Sequence, residues 1–559
     1  MKRSLKIALC VLACAAGVLF LQVSAQDAWY QRYWNNTRNF VVNYWKSLGF
    51  GAASAGLAYT AYKSDDPRVK TAAALASLPA AAGAYWYAKP QKQTQEQPQT
   101  QEQPQTKAQQ PVAEDEFFQA LVNASDHFNN TICKFPTSNN RISKIAGDDV
   151  NKKNKIADQA KTVYPIAAAR VKKLINNFLT YKKQHGYSTE KELYSNMNEQ
   201  EFVSRLLIKR PLAFAGGADS YLLRDGSKGS GGFENIGSPK EKEPLVLEEY
   251  LSYDEMQIAS LIGVSVPTFF INDGNLANHA IPGASGTFQE SGVYVGLVGA
   301  RFQKPGLMEW PHMIVTREQN TSQNGYGGDL APNSPLILNI WQSFYDEIFP
   351  TYEQAQADTT GRYVAISNGH YLDTAVYKKR MQMVIEPFLR DANERGKNDG
   401  KKAYCRVVGL GLGVWQISSE QAQLVVNVYQ DIVKEVFLPH IADIDFIFFN
   451  PAVSDMAGQF DQSKNPDLKI HFSKNTPAKK LTQQDADKLL VAQYAWNGNA
   501  YPGNSYWRGY LSGSSDPAAA CCSTIPELQN PLINQSVSGA EIKWYKSYEQ
   551  HKNKPTLQE

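Results

Sequence analysis

The chain has 559 residues, enough for a large core and more than one module. Lys and Arg (57) nearly balance Asp and Glu (54), so the net charge is only +3 and no global field argues for nucleic acid as a partner. Hydrophobic residues make up 43% and aromatics 11%, a globular composition that excludes a disordered chain.

The first 25 residues read as a signal peptide. "MKRSLK" is a basic n-region, "IALCVLACAAGVLFLQV" an apolar h-region, and "VSA" before Gln26 a small-residue cleavage site. An uncleaved anchor is one alternative, and "VLAC" ending at Cys14 is a poor lipoprotein signal. The expectation is export, to the cell envelope or beyond. Residues 26–88 hold two small-residue apolar stretches, "SLGFGAASAGLAYTAY" and "TAAALASLPAAAGAYWYA", split by "KSDDPRVK". Each falls short of the ~20 residues that span a bilayer comfortably. Residues 47–88 therefore read either as a membrane-associated hairpin or as two helices packed on each other. Residues 89–113, with "TQEQPQ" repeated from Thr94 and Thr100, form a Gln/Pro linker with no means of burying a core.

Residues 114–209 read as a helical subdomain, with "KIADQAKTVYPIAAARVKKLINNFLTYKKQ" as a helix kinked at Pro165. The loop-rich "GGADSYLLRDGSKGSGGFENIGSPKEKEP" follows. Beyond it the pattern alternates. "SVPTFFIN", "GVYVGLVGARF" and "HMIVT" read as strands; "SPLILNIWQSFYDEIF" and "LDTAVYKKRMQMVIEPFLRDANER" read as helices. "KAYCRVVGLGLGVW" is a strand entering a glycine loop, "SSEQAQLVVNVYQDIVKEVF" the helix it feeds, and "IDFIFFN" the next strand. That order is a βαβ unit, so residues 210–540 read as one α/β domain with a mixed or parallel sheet. Residues 541–559 read as a polar tail. Outside the leader only Cys133, Cys405, Cys521 and Cys522 remain, with no disulfide scaffold and no zinc spacing. No metal or cofactor is expected.

Three stretches could hold chemistry. In "GLGLGVWQISSEQA", Gly409, Gly411 and Gly413 let backbone approach a ligand, and Ser418 or Ser419 can cap the helix that follows. A diphosphate fits such a loop; so does a turn that merely packs a strand on a helix. Val414 stands where a dinucleotide fingerprint needs its third glycine, the next strand ends in Asn450, and no Lys-Ser or Lys-Thr follows, so dehydrogenase and P-loop readings fail. In "TFFINDGNLANHAIPGASGTF", Asn272, Asp273 and Asn275 follow a strand, placed either to grip ribose or to serve their own backbone as an Asx-turn. In "AWNGNAYPGNSYW", glycines and asparagines lie among aromatics, as at the rim of a polar pocket.

The strand with its Asn-x-x-Asn loop, followed by a strand, a "G-x-G-V-W" loop, a helix and "FIFFN", resembles the macrodomain. More specifically, "YLLRDG", "YLSYDEMQIASLIGVSVPTFFINDG", "GVYVGLVGARFQKPGLMEWPHMIV" and "AWNGNAYPGNSYW…SSDPAAACCSTI" resemble the MavL-like family over about residues 210–534. That family is a macrodomain-related group of bacterial effectors with members that remove ADP-ribose from arginine. The resemblance implies a macrodomain-like three-layer αβα domain with the helical subdomain before it. The implied ligand is ADP-ribose or an ADP-ribosylated protein. The implied ligand-binding set is Asn272, Asn275, Gly409, Gly411, Gly413, Val414, Trp415, Asn497, Asn499, Gly503 and Asn504. The family places aspartates in the C-terminal loop. Here Asn497 and Ser505 stand in two of those places, and Asp516 is the retained acid, with Asp273 or Glu290 as further candidates. An asparagine can bond a ribose hydroxyl but cannot take a proton as a base. The hydrolase reading therefore competes with a binding module that has lost turnover, and with an exported protein that binds another nucleotide or sugar. Glu309, His312, His370 and Asp373 read as structural residues.

Overall fold

Short runs of buried β-branched and aromatic residues build the centre of the molecule. The computed structural model describes residues 114–328 and 337–548, all within one compact unit, Gln109–Glu559. The leader, the apolar stretches of 26–88, the linker 89–113 and residues 549–559 lie outside the described residues. Strands β1 (Tyr164–Ala168), β2 (Gly263–Phe269), β3 (Ser291–Leu297), β4 (Ala403–Val407), β5 (Ile441–Ile447), β6 (Lys469–Ser473), β7 (Leu489–Ala495) and β8 (Lys543–Tyr545) form an eight-stranded sheet. Its order is β6-β5-β4-β7-β3-β2-β1-β8. β4 and β5 are buried along their whole length, as parallel strands covered on both faces must be.

All neighbours are parallel except at β2, which runs antiparallel to both β3 and β1. Seven strands therefore end at one edge of the sheet, and β2 alone ends at the other.

Six of the described helices are α1 (Val150–Lys161), α2 (Ala169–His185), α3 (Leu338–Tyr345), α4 (Thr374–Asp399), α5 (Glu420–Glu435) and α6 (Ser515–Cys522). Helical segments cover both faces of the sheet. Neighbouring residues on β7 point to opposite sides, and Gln493 donates to Tyr429 on α5 at 2.8 Å while Tyr494 donates to Gln529 at 2.6 Å. The fold is thus α/β with a mixed, mostly parallel sheet. The β4–α5–β5 unit has the order expected of it, and β4 and β5 pair in parallel.

Two stretches fold differently from their pattern. Residues 114–209 do not form an all-helical module: Tyr164–Ala168, fully buried, is strand β1, between β2 and β8. Pro165 cannot donate within a helix, and the apolar run around it is more deeply buried as a strand, facing Val264. In the stretch read as a polar tail, Lys543–Tyr545 pairs with β1 as β8. Among the described residues no helix is long and apolar enough to cross a membrane.

Candidate functional site

Three loops leave the edge where β3, β4 and β7 end: residues 298–302, 408–417 and 496–504. The first two are packed backbone on backbone. A Cβ on Gly299 would come within 2.3 Å of the Gly411 nitrogen, and one on Gly411 would lie 3.1 Å from the Ala300 carbonyl. Gly411 also holds φ +73°, a left-handed conformation that glycine adopts without strain. α4 braces this contact from below: the buried Arg380 donates to the carbonyls of Val298 (3.1 Å) and Ser260 (3.2 Å) and is ion-paired with Glu309. Glu309 in turn accepts the Arg301 amide at 2.7 Å.

The glycine loop then turns outward. A Cβ on Gly413 would meet open space, Val414 is 71% exposed, and Trp415 folds back into the core. Among the described residues, no acceptor takes the amides of Gly413, Val414 and Trp415. Ser418 Oγ accepts the Glu420 amide (3.2 Å), whereas Ser419, at the cap position of α5, makes no side-chain cap. Beside Trp415 lies Arg301, only 3% exposed, its guanidinium 5.4 Å from the Trp415 ring and 5.0 Å from the Phe214 ring. Its Nε and Nη1 have no partner. Burial lowers its pKa to about 10, against the opposing pull of Asp219, Tyr253 and Glu309. Nη2 donates to Gln303 at 3.3 Å, but among the described residues no carboxylate pairs with the guanidinium, a costly state for a buried cation, and free amides beside it add positive potential. The arrangement suits an anion.

The third loop is organised by Asp516, in the first turn of α6. The Asn497 amide donates to one carboxylate oxygen at 3.0 Å and the Gly503 amide to the other at 2.6 Å. Asp516 is 4% exposed, and burial raises its pKa to about 7, although those two amides and nearby Arg210 favour the charged form. Arg210 is itself 1% exposed, lies 4.3 Å over the Trp496 ring, and leaves Nε and Nη2 unpartnered. Asn497 donates to the Phe214 carbonyl (3.0 Å) and accepts the Asn499 amide (3.1 Å). Asn504 accepts the Phe214 amide at 2.8 Å, and Asn499 donates to the Met308 sulfur at 3.4 Å. The residue at 497 is an amide because it must both donate to and accept from backbone, whereas Asn504 only accepts. A carboxylate at 497 would face the Phe214 carbonyl with nothing to donate.

The other predicted loop lies elsewhere. Because β2 runs antiparallel, with Phe269 beside Ser291, its C-terminal end leaves the sheet where β3 begins. Asn272 accepts the Gly274 amide (3.0 Å), Asp273 the Asn275 amide (3.1 Å), and Asn275 the Ala277 amide (2.9 Å). Asp273 also takes a bond from Thr476 at 3.0 Å. These are Asx-turns. Gly409, Gly411, Gly413, Val414, Trp415, Asn497, Asn499, Gly503, Asn504 and Asp516 stand at the edge where β3, β4 and β7 end. The loop of Asn272, Asp273 and Asn275 leaves the sheet at its other edge and returns alongside α6, where the Leu276 carbonyl accepts the Gly513 amide (3.1 Å) and Asn278 donates to the Ala518 carbonyl (3.0 Å). Glu290, exposed just before β3, stands at the β2-exit edge as well. His312 is buried against Phe349 and Trp341, its pKa lowered to about 3 by burial, and Asp373 caps α4 and pairs with Arg362.

Sequence reasoning missed Arg301, Arg210 and Asp219. The fully buried Asp219 accepts from Tyr253 and Lys304 and acts on Arg301. A signal was present: a lone Arg in "VGLVGARF" and another in "KRPLAF" sit in apolar runs, where an uncompensated cation needs a reason.

A family model described as "ADP-ribosylhydrolase MavL-like" matches residues 119–549. Among curated proteins, the chain is similar to ADP-ribosylarginine hydrolase CG3568 of Drosophila melanogaster, 36% identical over 417 residues, which cover 71% of this chain and 81% of that protein. It is also similar to ADP-ribosylarginine hydrolase CG2909 of the same organism, 32% identical over 399 residues, 68% of this chain and 78% of that one.

Proposed function

The chain belongs to the MavL-like ADP-ribosylhydrolase family, and from that premise we propose that it binds ADP-ribose and releases it from modified arginine. The observation that carries the binding half is Arg301, a buried guanidinium with two unpartnered nitrogens beside three free amides. That arrangement suits a diphosphate, and the polar 496–504 loop next to it suits a ribose. The same order of β4, glycine loop, α5 and β5 supports a macrodomain-like reading of the domain, with the ribose grip on 496–504 rather than on 272–275. ADP-ribosylated protein is then the partner, and an export signal in residues 1–25 poses the question of where the two meet.

Hydrolysis breaks the bond between the ribose anomeric carbon and the guanidino nitrogen. Water oxygen bonds to that carbon, and its proton ends on the departing guanidine. Positive charge builds on the ribose at the transition state, so a carboxylate nearby lowers the barrier. Asp516 is a carboxyl group that stands at this edge, its pKa raised to about 7 by burial. It acts through the loop it pins, as a positioning group, since both its oxygens bond backbone amides.

Calorimetric titration of the full chain with ADP-ribose, with AMP and NAD as comparisons, tests the binding half; release from ADP-ribosyl-arginine tests turnover. Absence of saturable heat with ADP-ribose would sink the reading. One observation favours a second reading: Asn497 spends its side chain on Phe214 and Asn499. Tight ADP-ribose binding with no release would select that inactive binding module.

A further inference from the structure

A cavity of about 840 Å³ opens on the same edge of the sheet, at the end formed by β1 and β8. It is lined by the first turns of α2, the end of α3, the outer face of α4 and the residues just after β8. β1 and β3 point the same way, so this cavity and the three loops face the same side, with β1 and β3 about 10 Å apart across β2. α4 joins them: Lys379 lines the cavity, while its neighbour Arg380 holds the carbonyls of the 298–299 loop.

The lining is cationic. Arg170, Lys173, Lys379 and Lys546 stand against two carboxylates, Asp346 and Glu347. Glu347 is taken by Lys379 (2.5 Å) and Arg362 (2.9 Å). Among the described residues no carboxylate lies within ion-pair distance of Arg170, Lys173 or Lys546; the hydrogen bond of Arg170 is a long one, 3.5 Å to the Ser343 carbonyl. Two hydroxyls in the wall, of Tyr345 and Ser547, are buried without a partner. The free cations are exposed, on long stems, and spread over the wall. That differs from Arg301, whose single buried head suits one compact anion. Spread, mobile cations suit an extended ligand that carries several charges.

We propose that this cavity docks an acidic polypeptide segment of the ADP-ribosylated protein, next to the modified arginine. The proposal rests on the reading above in one respect: a protein whose modified arginine enters the 298–504 edge must also cover its neighbourhood. It adds a preference for substrates with acidic surface beside the modified residue.

The probe is a fluorescently labelled oligoglutamate peptide, titrated by anisotropy against the full chain. Saturable, salt-sensitive binding is expected, weakened about tenfold or more in the triple variant Arg170→Glu, Lys173→Glu, Lys546→Glu. None of these positions lies in the 298–302, 408–417 or 496–504 loop, so calorimetric affinity for free ADP-ribose should stay within about twofold. Modified-arginine peptides flanked by glutamates should show a lower KM than lysine-flanked ones, and the triple variant should erase that gap. Peptide binding that survives charge reversal, or equal binding of an oligolysine peptide, overturns the proposal. Displacement of the peptide by micromolar inorganic phosphate would make this a small-anion site, which also overturns it. Failure of ADP-ribose to bind, with peptide binding intact and charge-dependent, would instead remove the functional reading and leave the docking surface.

Discussion

The two edges of the sheet carry similar asparagines and aspartates, bonded alike to backbone, and differ in the buried cations beside them. At the edge where β2 ends, Asn272, Asp273 and Asn275 each bond a backbone amide within two residues. At the edge where β3, β4 and β7 end, Arg301 and Arg210 are buried with nitrogens that have no partner among the described residues, and three consecutive amides have no acceptor among them either. Both loops are polar and glycine-rich, so composition does not separate them. What separates them is satisfaction. A polar group already bonded to its own loop is spent on structure, whereas a buried one left unpaired is held there at a cost. The second edge is the one whose unpartnered groups an anionic ligand would satisfy.

The sharpest break of that comparison is Arg301→Met. Two lost charge-assisted bonds, at roughly 1.5–3 kcal/mol each, should cut ADP-ribose affinity by about 100-fold or more while the fold persists. Asn275→Ala should leave affinity unchanged. If calorimetry shows equal losses in both variants, the edges are not different in kind.

Asp516 comes next. Its folded pKa of about 7 exceeds the ordinary aspartate value of about 3.9, so the folded state keeps its proton to higher pH. The stabilisation is fully present below about pH 4 and is lost as pH rises through 7, up to about 4 kcal/mol in all. Asp516→Asn should flatten that slope in denaturant titrations from pH 5 to 8, and should remove an inflection near pH 7 from kcat/KM. A wild-type slope retained in the variant would assign the titration to another group.

The glycines sharpen the comparison further. Gly299→Ala and Gly411→Ala place a Cβ against backbone and should lower stability by roughly 1–3 kcal/mol, with affinity falling about tenfold. Gly413→Ala enters open space and should leave stability alone. A Gly413 variant that binds poorly yet melts normally would mean that the ligand approaches that Cα closely. The smallest effect belongs to Asp273→Ala: about 1 kcal/mol of stability, read from the melting temperature, with affinity intact. Loss of ADP-ribose binding there would return Asp273 to the site.

Much of the sheet was legible. The mostly apolar runs at 403–407 and 441–447, broken only by Arg406, Asp443 and Asp445, with an amphipathic helix between them, announced a parallel pair. Pro165 misled because a proline among helix formers suggests a kink, while the run was short, apolar and bounded by helices, which also describes a strand. The direction of β2 was legible in part and overlooked. No helix separates it from β3, and parallel neighbours need a crossover where antiparallel ones do not.

From the sequence alone came the α/β class, the family resemblance, the glycine loop after β4, and Asp516 as a candidate acid among amides. These follow from local periodicity and from runs of residues distinctive enough to identify. Only the tertiary structure decided which loops share an edge, that Asn272–Asn275 close on themselves, and that Arg301 is buried beside Trp415 with Nε and Nη1 unpartnered among the described residues. Strand direction and the pairing of buried charges depend on contacts between segments far apart in the chain, and no local pattern encodes them.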